Sequence, residues 1–192
     1  MPFDLNWALG WVWIGVAILW VVAAFGNKPV AKREAGPSRL LQLVFMILAA
    51  ELLVRPNRWN FWPVLRERLL PETPIVGWIS LAVTCAGMAF AIWARFYLGR
   101  EWSGTVTVKQ GHELKCGGPY AHVRHPIYTG LTLAALGTAI GVGEVRAFVA
   151  VPLILAGWWI KAGVEERFMV EQFGEQYERY RSEVKGLIPF VW

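Results

Sequence analysis

Charge is scarce in this chain. Only 17% of its 192 residues are Asp, Glu, Lys or Arg, against about 25% in ordinary soluble domains. With 56% apolar residues and 12 Trp, plus a positive mean hydropathy, too few polar groups remain to clothe a soluble globule of this size. A soluble all-α protein with deeply buried helices is the competing reading, and it fits poorly. Cysteine is nearly absent: Cys85 and Cys116 form no CxxC motif and pair with no histidine, so neither a disulfide framework nor a metal site is supported. Repeats, low-complexity tracts and domain linkers are missing too, which points to a single domain, 1–192. The N-terminus shows neither a basic region nor a small-residue cleavage site, so its first apolar run is expected to stay as a helix. No aromatic-basic groove or nucleic-acid motif is visible, so no nucleic-acid partner is expected.

Long apolar runs are present instead. Leu5–Phe25, Leu40–Val54 and Ile75–Tyr97 each approach or reach the length needed to cross about 30 Å of hydrocarbon as helix. Two shorter runs, Leu131–Val142 and Ala147–Ile160, are joined by Gly143-Glu144-Val145-Arg146 and read as a tight helical hairpin. The expected fold is therefore all-α and integral to the membrane. It has about five transmembrane helices, a short C-terminal helical hairpin and a cytoplasmic C-terminal helix. Residues 1–97 form a helical scaffold, and 98–192 carry the chemistry.

Lys and Arg set the expected orientation. With five crossings, fourteen basic residues fall on the side of the first and third loops and the tail, and five on the other. The positive-inside rule then places the N-terminus outside and the C-terminus in the cytoplasm. The net charge of +5 suits an anionic inner leaflet, making membrane lipids the expected surroundings. The loop Arg55–Pro63 mixes Arg with aromatics, as an interfacial segment does. The first two helices hold almost nothing ionisable except Glu51, near the end of the second. Arg55, one turn on, is its expected ion-pair partner.

Polar chemistry gathers after Arg95. Glu101–Val108 alternates weakly, and Gly111-His112-Glu113-Leu114-Lys115 precedes Cys116-Gly117-Gly118-Pro119. The glycines and proline permit turns and close backbone approach to a ligand. Then comes Gly118-Pro119-Tyr120-Ala121-His122-Val123-Arg124-His125-Pro126-Ile127-Tyr128-Thr129-Gly130. Pro126 allows His125 to sit just ahead of a helix whose first turn is Pro126–Thr129, and free N–H groups at such a start attract anions. An ordinary basic loop explains part of this. The tail adds more. Lys161, Glu165 and Glu166 lie where the last apolar helix leaves the membrane, with Lys161 and Glu165 one turn apart. The helix is expected to run on through Phe168, Met169, Phe173, Tyr177 and Tyr180, closing a pocket with the Tyr120–Tyr128 loop. Cations at one helix mouth and carboxylates at the next are costly at a bilayer edge unless something binds there.

GPYAHVRHPIYTG, the Glu165-Glu166 pair and Phe173-Gly174-Glu175-Gln176-Tyr177-Glu178-Arg179-Tyr180 together resemble the isoprenylcysteine carboxyl methyltransferase family of integral-membrane enzymes. The resemblance covers roughly Gly99 to Pro189. Phospholipid N-methyltransferases and membrane sterol reductases have related C-terminal halves. The resemblance implies S-adenosylmethionine as cofactor, held by His112, Glu113, Leu114 and Lys115, by Tyr120, by His125, Pro126, Ile127 and Tyr128, and by the pair Glu165 and Glu166. Which glutamate touches the cofactor stays open. Arg124 matches the arginine of the motif. A family arginine that handles the substrate carboxylate falls on Lys161 here, which keeps the charge but loses the bidentate fork.

Methyl transfer to a carboxylate, already ionised at pH 7, needs alignment and desolvation rather than a base. Arg124 (held by Glu166) and Lys161 are the candidate groups for orienting the acceptor. An amine acceptor would have to lose a proton, and one of the paired glutamates could take it. The leading expectation is an S-adenosylmethionine-dependent methyltransferase of the EC 2.1.1 class. Its acceptor would be a hydrophobic small molecule or lipid entering from the bilayer. The alternatives are phosphatidylethanolamine N-methylation and, further off, an NADPH-dependent membrane reductase. The compact five-helix plan is that of microbial members, implying the inner membrane of a bacterial or archaeal cell.

Overall fold

The computed structural model describes residues 5–24, 30–33, 37–54, 61–99, 107–109 and 114–188. In chain order the elements are α1 (Leu5–Ala24), β1 (Val30–Arg33), α2 (Pro37–Val54), α3 (Pro74–Leu98), β2 (Thr107–Lys109), α4 (Pro126–Val142), α5 (Val145–Phe173) and α6 (Glu175–Glu183). Local signals explain the boundaries. Thr73 caps α3 by accepting from the Val76 N–H at 3.3 Å, and Pro74 fills the first helical position, where its missing N–H costs nothing. Pro126 does the same for α4, and Gly143 ends that helix in a left-handed conformation with φ +70°.

Helix α4 packs most extensively against α3, and α5 against α2. Small residues make the α3–α4 seam. A Cβ added to Gly130 would lie 2.6 Å from the Gly87 carbonyl oxygen and 2.7 Å from the Ala91 nitrogen, so the two backbones nearly touch. Ser80 Oγ donates to the Gly137 carbonyl at 2.7 Å and Thr84 Oγ1 to that of Ala134 at 3.4 Å. Close backbones and polar side chains bonding across are how helices associate where lipid removes the hydrophobic drive. The outer faces remain oily: Trp7, Ile18, Leu40, Ile47, Ile75, Trp78 and Trp159 are all exposed. Water would penalise such a surface, whereas hydrocarbon does not.

Two described helices, Pro74–Leu98 and Val145–Phe173, are long and apolar enough to cross a membrane, and Trp7–Val22 and Pro126–Val142 are shorter apolar segments. The helical class matches the sequence expectation, with two differences. A short antiparallel ladder pairs β1 with β2, where only weak alternation over Glu101–Val108 hinted at extended chain. The tail helix is also not continuous. It breaks at Gly174, whose φ of +51° lies where a side chain is disfavoured. There the chain turns from α5 into α6. Arg55, the expected partner of Glu51, lies outside the described residues, as do His112 and Glu113.

The α4–α5 hairpin positions everything else. Its helices are antiparallel, so the start of α4 stands beside the later turns of α5. Arg146 and Glu165 are nineteen residues apart on α5, about 28 Å at 1.5 Å per residue, close to the hydrocarbon thickness of about 30 Å. The hairpin therefore carries one polar cluster at each end.

Candidate functional site

At one end of the hairpin the basic corner before α4 meets the acidic pair of α5. Arg124 Nε donates to Glu166 Oε1 at 2.9 Å, and its Nη2 lies 2.7 Å from the same oxygen. His125 stands between both glutamates, with Nε2 3.1 Å from Glu166 Oε1 and Nδ1 3.4 Å from Glu165 Oε2. Tyr128 Oη donates to Glu165 Oε1 at 2.5 Å. Lys161 Nζ reaches Glu165 at 4.0 Å, and Arg181 Nε reaches Glu166 Oε2 at 3.4 Å. The Arg124 and Glu166 side chains are only 8% and 9% exposed. At such depth the loss of one partner strands a charge, which raises the stakes of every contact.

The chain end fixes this corner. Arg124 N–H donates to the Lys185 carbonyl at 2.8 Å, His125 N–H to that of Gly186 at 3.1 Å, and Thr129 Oγ1 to that of Leu187 at 2.6 Å. Arg124 also donates through Nη1 to the Val184 carbonyl. From α6, Tyr180 Oη donates to the Tyr120 carbonyl at 2.6 Å. Helix α6 is thus pinned over the loop, as the stripe ending in Tyr177 and Tyr180 anticipated; both tyrosines are buried.

Three rings stack in a pile: His125 on Tyr128 with centroids 5.5 Å apart, and Tyr128 on Trp158 at 4.5 Å. Lys161 Nζ sits 5.3 Å from the Tyr128 ring centre and 5.9 Å from that of Trp158, within cation–π range. Burial alone would push the His125 imidazole towards the neutral form. The hydrogen bonds and charges of Glu165 and Glu166 outweigh it and hold the pKa above the usual histidine range. The Tyr120 phenol goes up for the simpler reason of burial, reinforced by the Glu165 charge.

Most of the residues singled out in the sequence converge here. Arg124, His125, Tyr128, Lys161, Glu165 and Glu166 form one cluster, and Pro126 and Ile127 are buried at its base. Tyr120 joins it through Tyr180 and stacks on Tyr97 at 6.1 Å. Leu114 and Lys115 are half-buried just ahead of the 3-10 turn Gly118–Ala121. Two members were missed. Trp158 lies one turn before Lys161 on the same face of α5, a spacing that could have flagged it. Arg181 is one of several tail arginines, and no local pattern separates it from Arg179.

Chemically, the site offers three cations, an imidazole, two carboxylates and flat aromatic faces within a few ångströms. That donor set suits a ligand carrying an ammonium, a carboxylate and a sulfonium, because each has an opposite charge or a ring face to meet. The fold and the site define the class: a helical membrane protein with a buried ionic site between the start of α4 and the later turns of α5.

The family model for phospholipid methyltransferases matches residues 75–176, from α3 into α6. The chain belongs to that family. A Protein-S-isoprenylcysteine O-methyltransferase from Schizosaccharomyces pombe is 33% identical over 115 residues, 58% of this chain and 49% of that protein. A methanethiol S-methyltransferase from Crocosphaera subtropica is 38% identical over 136 residues, 69% of this chain and 51% of its own length. The human Protein-S-isoprenylcysteine O-methyltransferase is 27% identical over 137 residues, covering 68% and 45%. The solved structure of a eukaryotic intramembrane Ras methyltransferase, isoprenylcysteine carboxyl methyltransferase, superposes with a TM-score of 0.51 at 24% identity. That match spans 82% of this chain and 54% of the other, and it shows a shared fold. The chain spans about half the length of these relatives. The resemblance drawn from the RHPIYTG motif and the paired glutamates holds.

Proposed function

We propose that this protein is an S-adenosylmethionine-dependent methyltransferase acting on a lipid-like acceptor within the membrane, with isoprenylcysteine carboxyl O-methylation as its type of reaction. The observation that carries the reading is the meeting of His125 with both Glu165 and Glu166 at 3.4 and 3.1 Å, beneath an arginine and a lysine. It is supported by the relatives, which are named as methyltransferases.

The residues that would hold the cofactor are Tyr120, His125, Pro126, Ile127, Tyr128, Glu165 and Glu166, joined by Leu114 and Lys115 from the preceding segment. When bound, S-adenosylmethionine supplies a methyl group on a sulfonium, a leaving group that departs as a neutral thioether. The chain's own contribution is placement. Lys161, over the rings of Tyr128 and Trp158, and Arg124 orient an acceptor carboxylate without transferring a proton. Glu166 holds Arg124 in place. Docked α6 and the His125–Tyr128–Trp158 pile exclude water, which strengthens these electrostatic contacts.

We further propose that α1 to α5 each cross the bilayer, with the N-terminus outside and the site at the cytoplasmic face of a microbial inner membrane. The cofactor then arrives from water and the acceptor laterally from lipid. A second reading, N-methylation of a phospholipid amine, draws on one of the paired glutamates, Glu165 or Glu166, as the proton acceptor. The reductase alternative gains no support from relatives named as methyltransferases.

Incubation of the purified protein with isotope-labelled S-adenosylmethionine and total lipid extract, followed by mass spectrometry, tests the reading. A carboxyl methyl ester releases its label as methanol in mild base, whereas an N-methyl group keeps it. No labelled product from any extract contradicts the proposal.

A further inference from the structure

The membrane face opposite the His125 cluster carries a second construction that methyl transfer does not use. A cavity of about 690 Å³ opens there, walled by apolar residues of α1, α2, α4 and α5 that include Leu9, Met46, Ala135 and Ile154. Its volume falls in the range of about 300–1,000 Å³ typical of small-molecule sites. Trp158 lines it, and the Tyr128–Trp158 stack stands between it and the ionic site. At its other end are Arg68, Glu72, Glu144 and Arg146.

Those four charges form two ion pairs. Arg68 pairs with Glu72 at 2.7 Å and Arg146 with Glu144 at 2.6 Å. The backbone beneath them is stitched together: Leu69 N–H donates to the Gly143 carbonyl at 2.8 Å, and Val145 N–H to that of Glu67 at 3.0 Å. Arg146 Nη1 donates to the carbonyls of Leu52 and Leu53, which ties the end of α2 to the same rim. The mouth therefore presents two guanidinium groups and two carboxylates: Arg146 and Glu144 are held within it, and Arg68 and Glu72 form a more exposed pair.

Depth completes the picture. Arg146 and Trp158 are twelve residues apart on α5, about 18 Å of helix, near the ~15 Å of one leaflet, half of the hydrocarbon thickness. An apolar chamber one leaflet deep with charges of both signs at its mouth has the form of a phospholipid seat. A tail belonging to the methyl acceptor would need no charge at this end, since its reactive head must lie beyond Trp158.

We propose that this cavity binds one phospholipid with a zwitterionic headgroup. Its phosphate is held by Arg68, its ammonium by Glu72 and Glu144, and one acyl chain fills the chamber down to Trp158. The inference uses neither His125 nor the glutamates of α5, and it shares only Trp158 with the methyl-transfer reading.

Native mass spectrometry of the full chain, released from vesicles of equal parts phosphatidylcholine and phosphatidylglycerol, tests it. Wild type is expected to retain one phosphatidylcholine per chain with at least tenfold preference over phosphatidylglycerol. Ala50→Trp, which fills the chamber from its exposed α2 side, is expected to lose the lipid. Arg68→Gln, at an exposed position, is expected to lose the preference while the protein stays folded by circular dichroism. Equal retention of both lipids by wild type, no retained lipid, or retention unchanged in Ala50→Trp each overturns the proposal. Loss of methyl transfer to a lipid acceptor in Ala50→Trp, with wild type holding no phospholipid, assigns the chamber to the acceptor instead.

Discussion

Arg124 and Glu166, 42 residues apart in sequence, share a buried ion pair at 2.7–2.9 Å, and the same carboxylate oxygen lies 3.1 Å from His125. Removing Glu166 takes the carboxylate away from the buried Arg124 guanidinium and leaves His125 with Glu165 alone. Glu166→Ala is expected to destabilise the protein by roughly 3–5 kcal/mol. Glu166→Gln should cost less, because it keeps volume and one acceptor. Denaturant unfolding in detergent micelles measures both. Equal stability of wild type and Glu166→Ala would show the pair to be dispensable.

His125 gives a pH dependence of known sign. Its folded pKa lies above the ordinary value, so its pairing with the glutamates is fully present below about pH 6.5 and is lost as pH rises through the raised folded pKa. The stability gap between wild type and His125→Asn should therefore be widest at low pH and shrink as pH climbs. Thermal unfolding from pH 5.5 to 9 reads it out. A gap that widens with pH contradicts the assigned contacts.

The α3–α4 seam tolerates no added atom at Gly130, where a Cβ would press on backbone of both Gly87 and Ala91. Gly130→Ala is expected to cost about 1–3 kcal/mol through overpacking. Gly163→Ala, with open space around it, serves as the control and should be neutral or slightly stabilising. Equal melting temperatures for the two variants would refute the close approach of the helices.

Tyr180→Phe removes the donor to the Tyr120 carbonyl and leaves a buried acceptor unpaired, at about 1–3 kcal/mol. The loss falls on the docking of α6, so limited proteolysis should cut near Gly174 faster in the variant. An unchanged cleavage rate there means α6 is held by other contacts.

Much of this was legible in the chain itself. The apolar runs place α1, α2 and α3 to within a few residues because hydrocarbon demands length and little else. The motif around Arg124-His125-Pro126 and the Glu165-Glu166 pair could be joined because the first opens one hairpin helix and the second lies where the apolar run of the other gives out. The break at Gly174 was not legible, since FGEQYERY continues a helical stripe and only the backbone reveals the positive φ. The β1–β2 ladder was hidden for a similar reason: four and three residues carry almost no periodic signal. Nor could spacing show that Lys185, Gly186 and Leu187 anchor the Arg124–Thr129 corner through backbone bonds, which depend on chain path rather than residue type.

Calorimetric titration of S-adenosylmethionine into the purified protein in detergent probes the ionic site most directly, comparing wild type with Glu165→Gln and Glu166→Gln after circular dichroism confirms their folding. Binding by wild type, weakened at least tenfold in both variants, is the expected result. Unchanged affinity in both would mean that the donor is held elsewhere, and that the cluster around His125 is not a methyl-transfer site.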